Sequence, residues 1–464
     1  MSSSTISIPP TDSVPSFAGR LEGTAAAVGG ATGVGIFAAI NSLVRWVVRS
    51  DAWIFFFLIT KPLIDLTWRW SFFRFSEQKV NFQTFVGLVV LTLNGIAILN
   101  RGTRHQLPRR VLLFLGCATL SVIVSPSSWG FNELLRLFAG TAFFYTAGRF
   151  LADPGRFDRF AKAFLIVATV PILLSFLQIA GLLPYDYWDW IATGAVGRVS
   201  GTYNHPLGLV FLFMYVFPLA LYIANGSQQT PSAKKWAWFL LISASIVLVF
   251  TYHRVGYVAI ALEVLIWLYL SRGKKPAIAF LVILAVVGVG YGNFFSVLFE
   301  PVRQSVEDGS DYSGEHFLRG RGFQWLLYAE SYLSGDPIHW VLGLGGSVIE
   351  GVDSDDDSYV LSPNEPHNDY IRILHAYGLL GLVLYVSILI QFFRRAIHHL
   401  HCPDSFGRSL AQVMLPILAA VLLLSLTTEP MRYPTAVWYL FALGSALFTV
   451  QVKSRSPLKE RASP

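Results

Sequence analysis

From Trp53 to Thr449 the chain alternates long apolar runs with short polar connectors, and the runs lack the polar stripe of helices that face water. Stretches near 53–70, 80–99, 110–125, 132–150, 160–180, 206–224, 236–252, 255–271, 275–291, 369–393, 409–428 and 434–451 each read as a helix crossing about 30 Å of hydrocarbon. One long polar interval, 293–368, breaks the series. Within it, Gly320-Arg321-Gly322-Phe323-Gln324-Trp325 opens a pattern through Tyr332 that predicts an amphipathic helix along the membrane surface. The interval closes on Asn364-Glu365-Pro366-His367-Asn368-Asp369-Tyr370, where Asn368 and Asp369 read as the cap of a helix running through Ile371, Leu374 and Leu379 into the membrane.

The predicted fold is an all-α polytopic membrane protein of about twelve transmembrane helices. It has a disordered tail at 1–20, an interfacial helix or extra span at 21–50, and helices 1–9 within 51–292. A large extracytoplasmic loop at 293–368, helices 10–12 within 369–452 and a cytoplasmic tail at 453–464 complete it. The Ser-, Thr- and Pro-rich start lacks the basic segment of a signal peptide.

Composition agrees: 54% of residues are hydrophobic, 14% are charged, and mean hydropathy is +0.53. The formal charge of +7 points to membrane orientation rather than nucleic acid, because the basic residues flank apolar runs instead of forming one patch. Arg101, Arg109, Arg149, Arg159, Lys234, Lys275, Arg394 and Arg408 fall in connectors on one side, which is therefore cytoplasmic. The loop at 293–368 then faces out. Cys117 and Cys402 form no framework, and neither a disulfide nor a zinc cluster is expected.

Candidate chemistry gathers on the outer side. Arg198, in Gly197-Arg198-Val199-Ser200-Gly201-Thr202-Tyr203-Asn204-His205-Pro206, closes one outer interval, and Arg254, in Thr251-Tyr252-His253-Arg254-Val255-Gly256, stands in a tight turn between two spans. His367 opens a third span from the same side. A charge at such depth is costly without a partner or a substrate. Two guanidiniums and an imidazole without a nearby carboxylate cluster suit an anion, and a diphosphate fits the planar fork of arginine. The helix after His367 adds its positive N-terminal end. Asn368, Asp369, Tyr203, His205 and Arg321 are candidate substrate contacts around these three.

Other features read as structure. Lys61 and Asp65, spaced i, i+4, are expected to pair. Tyr185, Tyr187, Trp188 and Trp190 form an interfacial belt or a platform for sugar rings. The acidic run Asp353, Asp355, Asp356, Asp357 lacks the glycine and the glutamate of a calcium loop, since Ser358 and Asn364 stand there. His205 and His253 make no metal motif, and Gly288-Val289-Gly290-Tyr291-Gly292 no dinucleotide fingerprint. Arg136 and Glu263 lie inside spans with partners the sequence does not reveal.

The segments around Arg198, Arg254, Gly320-Arg321 and Pro366-His367-Asn368-Asp369-Tyr370, with Gly378-Leu379-Leu380-Gly381, Lys61-Pro62-Leu63-Ile64-Asp65 and Glu429-Pro430, resemble the O-antigen ligase and polymerase superfamily of bacterial membrane glycosyltransferases. The resemblance spans about residues 53–450. It implies a GT-C-like helical fold whose loop caps an extracytoplasmic cavity. It also implies inverting transfer, without metal or cofactor, from an undecaprenyl-diphosphate-linked oligosaccharide to a glycan acceptor at the periplasmic face of the inner membrane. Arg198 and Arg254 would then grip the diphosphate, with His367 as base. The opening motif and the His367-Asn368-Asp369-Tyr370 form resemble the polymerase branch, in which a chain-length regulator is a further partner; an O-antigen ligase is the alternative. A flippase would show two-fold internal repetition, of which the sequence has no trace.

Overall fold

The computed structural model describes residues 41–42, 44–47, 50–69, 71–75, 78–101, 109–191, 194–290, 321–346, 366–402 and 404–450. The tails, most of 21–50, the acidic run near Asp353 and the 291–320 part of the loop lie outside the described residues.

A helix forms in each stretch read as a span. They are α1 Ala52–Ile64, α2 Phe82–Arg101, α3 Arg109–Val124, α4 Ser128–Thr146 with the short turn α5 Gly148–Leu151, and α6 Pro154–Ile179. Then come α7 Pro206–Asn225, α8 Pro231–Val249, α9 Arg254–Arg272 and α10 Lys274–Gly290. The amphipathic α11 Arg321–Leu333 and short α12 Pro337–Leu342 precede α13 Asp369–His401, α14 Ser405–Ser425 and α15 Pro434–Thr449. Among the described residues, seven of these helices are long and apolar enough to cross a membrane. Two antiparallel hairpins qualify the all-α expectation: β1 Ser71–Phe75 with β2 Gln78–Asn81, and β3 Tyr187–Ile191 with β4 Gly194–Arg198.

The bundle is built around α7, which has no polar face and is buried on every side by α6, α8, α9, α14 and α15. Outer helices keep apolar residues outward, as Phe239, Ile242 and Ile246 on α8 and Ile278, Val282 and Ile283 on α10 do. Such a surface suits lipid and not water. Lys61 and Asp65 pair as expected, and Asp65 is further held by the Thr435 hydroxyl at 2.6 Å.

Helix α13 departs from the sequence expectation of an unbroken run. At Gly378 the backbone turns to φ 68°, ψ −175°, and the helix is in two pieces. The segment after α12 enters this break: the N–H of Leu344 donates to the His375 carbonyl at 2.8 Å, and that of Gly345 to the Ala376 carbonyl at 3.0 Å. Ser121 also donates to the Ala376 carbonyl, at 2.5 Å. These bonds satisfy carbonyls that a break would otherwise orphan in a dry environment. A Cβ at Gly378 would sit 2.2 Å from the Val341 carbonyl oxygen, so only glycine fits.

Candidate functional site

Three helices begin at one end of the bundle with a side chain bonded to their own first turn. His205 caps α7, its Nδ1 accepting from the Leu207 N–H at 3.0 Å; His253 caps α9 through Gly256 N–H at 3.1 Å. Asn368 caps α13, with Oδ1 accepting from Tyr370 and Ile371 at 2.9 and 3.1 Å. The caps place three positive helix ends at this mouth.

The loop from β4 into α7 is tied to the turn before α9. Arg198 Nε donates to the Thr251 carbonyl at 2.7 Å and Val199 N–H to the Phe250 carbonyl at 3.1 Å. The loop is held from below by Gln178 at the end of α6, whose Oε1 accepts from the N–H groups of Ser200 and Gly201 at 3.1 and 3.0 Å. Gly201 has φ 60°, and a Cβ there would meet the Pro171 carbonyl oxygen at 2.7 Å. Nothing in the sequence near Gln178 announces this role.

His367 sits on a platform of buried polar groups. Its N–H donates to Glu429 Oε1 at 3.0 Å, and Glu429 Oε2 takes Arg432 at 3.3 Å. Asn368 Nδ2 reaches the Leu426 carbonyl at 3.0 Å, and Pro366 accepts from Trp325 Nε1 at 2.7 Å. Trp325 lies one turn beyond Arg321, so the start of α11 is drawn to the His367 loop; of Arg321 the backbone alone is described.

His367 has φ 48°, and so does Tyr252 beside Arg254; among the described residues these two alone combine a side chain with positive φ. Such strain persists where surrounding contacts enforce it, and it gathers at functional sites.

Burial and the charges of Arg198 and His367 push the His205 pKa down to about 3. Arg198, His205 and His367 therefore share one neighbourhood, although they come from different loops. Arg254 joins it: Tyr257 on α9 lies within reach of the charges of both Arg198 and Arg254. Because Nδ1 accepts in both rings, His205 and His253 carry their ring protons on Nε2.

Two candidate contacts are placed elsewhere. Asp369 is fully buried, one oxygen bonded to Arg372 at 3.0 and 3.1 Å, the other to Met431 N–H at 2.9 Å and Ser425 at 3.3 Å. It braces the platform from beneath. Tyr203 is also buried, close enough to Asp65 that burial and this carboxylate raise its pKa well above 10. It belongs to the packing below the loop.

The fold and mouth define a multi-pass membrane protein with a cationic, donor-rich site at one end of the bundle. Residues 239–386 match the family model described as O-antigen ligase. That stretch contains Arg254, Arg321 and His367, and the match supports the resemblance to the O-antigen ligase and polymerase superfamily. No curated protein matches the chain.

Proposed function

We propose that the protein transfers a glycan from an undecaprenyl-diphosphate-linked donor to a sugar hydroxyl at the periplasmic face of the inner membrane, polymerising repeat units of an exopolysaccharide or O-antigen. The observation that carries this reading is the meeting of Arg198, His205 and the strained His367 at one mouth, with Arg254 alongside. On the twelve-crossing topology expected from the sequence, this mouth faces outside, where no nucleotide sugar is available. The donor must bring its own leaving group, and a lipid diphosphate does so.

In the proposed reaction the acceptor hydroxyl oxygen attacks the donor sugar C1 from the face opposite the diphosphate. The C1–O bond to phosphate breaks, its electron pair leaves with the diphosphate, and configuration at C1 inverts. Arg198 and Arg254 stabilise the charge growing on the leaving group. His367 takes the hydroxyl proton, a task suited to an imidazole of reference pKa about 6.5. Asn368, Asp369 and Glu429 hold His367 in place, while His205 donates through Nε2 and Arg321 stands at the entrance. No metal or cofactor takes part.

The matching family, described as O-antigen ligase, favours a second reading, in which lipid A core is the acceptor and the protein is an O-antigen ligase. Purified protein in lipid, given the undecaprenyl diphosphate oligosaccharide alone, separates the two. A product ladder that is lost in His367→Ala supports the polymerase. Transfer only after lipid A core is added supports the ligase, and no transfer with either overturns both.

A further inference from the structure

A cleft beside the His367 platform remains without a role in this scheme. It is lined by Arg136 and Glu133 of α4, Arg372 of α13 and Arg432 of the turn before α15, with Phe114 and Tyr377 among its apolar walls. Three guanidiniums thus face one carboxylate. Arg372 is satisfied by Asp369 at 3.0 Å and Glu133 at 3.6 Å, and Arg432 by Glu429 at 3.3 Å. Arg136 differs: among the described residues it makes no hydrogen bond or ion pair, and it lies within the field of Arg432, Glu133 and Arg372.

An exposed guanidinium flanked by two others and one carboxylate sits in a net positive field, which a bound anion would relieve. The shape of the arginine fork suits phosphate oxygens. The location is equally informative, because Glu429 holds both Arg432 of the cleft and the backbone N–H of His367. We infer that this cleft is a second phosphate site, distinct from Arg198 and Arg254, which holds the diphosphate of the second lipid-linked chain while its sugar is presented to His367. That assignment of the occupant rests on the glycan-transfer reading.

The test reads binding without sugar transfer, so it stands or falls apart from that reading. Arg198→Ala/Arg254→Ala protein in detergent is titrated with farnesyl diphosphate or inorganic pyrophosphate, and thermal unfolding is followed. The expected result is a ligand-dependent rise in Tm that persists in this double variant. Adding Arg136→Gln should weaken binding about tenfold, the scale of one charge-assisted contact. Without ligand, Arg136→Gln should change Tm little, since it removes a charge that faces both like and opposite neighbours and breaks no bond. Arg136→Lys, which keeps the charge but not the fork, should bind with intermediate affinity and gives the same test if the glutamine variant does not accumulate. A rise with farnesyl diphosphate alone identifies a lipid-linked head group, and an equal rise with pyrophosphate identifies a free phosphate site. No rise in the double variant, or a rise unaltered by Arg136→Gln, overturns the proposal.

Discussion

Glu429→Ala probes how His367 is held without touching the imidazole itself. The carboxylate is 2% exposed and accepts the His367 N–H at 3.0 Å. A hydrogen bond to a charged acceptor contributes about 1.5–3 kcal/mol. Holding a non-glycine residue at positive φ costs about 1–3 kcal/mol, so losing the bond removes one support of that strain. A net shift of about 2 kcal/mol would reduce the population with His367 in place roughly thirtyfold. Polysaccharide made by cells that rely on the variant, at matched membrane level, should fall by about that factor. Glu429→Gln keeps an oxygen for the N–H but loses the charge facing Arg432, and its output should lie between the two. Output from Glu429→Ala within about twofold of wild type, set against the same thirtyfold expectation, would show that the bond does not position the histidine.

Arg198→Ala and Arg254→Ala should each abolish product while the protein still inserts and remains monodisperse in detergent; near-normal product from either removes that arginine from the mechanism. Arg198→Lys should recover little, because an ammonium lacks the fork. Gly378→Ala should lower the unfolding temperature strongly, since its Cβ would meet the Val341 carbonyl oxygen at 2.2 Å; unchanged stability would mean the break in α13 is not required. The His205 pKa is depressed to about 3, so the unfolded chain takes up this proton near pH 6.5 and the native protein does not. The contribution to stability is therefore complete above pH 6.5 and is lost as pH falls toward 3. His205→Asn, which can still cap α7, should flatten the decline of Tm with acid across that window, and an unchanged slope would assign it to other groups.

What could be read from the sequence was what is settled within a few residues. Lipid demands that each spanning segment satisfy its own backbone, so the apolar runs mark the helices directly. The i, i+4 pair Lys61–Asp65 and the cap at Asn368 are local in the same way. The rest depends on partners far along the chain. The break in α13 needs Leu344 and Gly345 to reach its carbonyls, Arg198 finds the Thr251 carbonyl 53 residues on, and Glu429 meets His367 across 62. Asn368 and Asp369 read both as a helix cap and as substrate contacts, because polar side chains next to a candidate base can serve either role. The structure commits Asn368 to capping and Asp369 to Arg372, and it uses His205 and His253 as acceptors through Nδ1. Once those oxygens and ring nitrogens are turned inward, the groups that characterise the mouth are Nε2–H donors and guanidiniums. Such a surface recognises a ligand rich in acceptors and poor in donors, and a diphosphate meets that requirement better than a sugar ring does. In the proposed transfer reaction, these residues would select the leaving group rather than the transferred glycan.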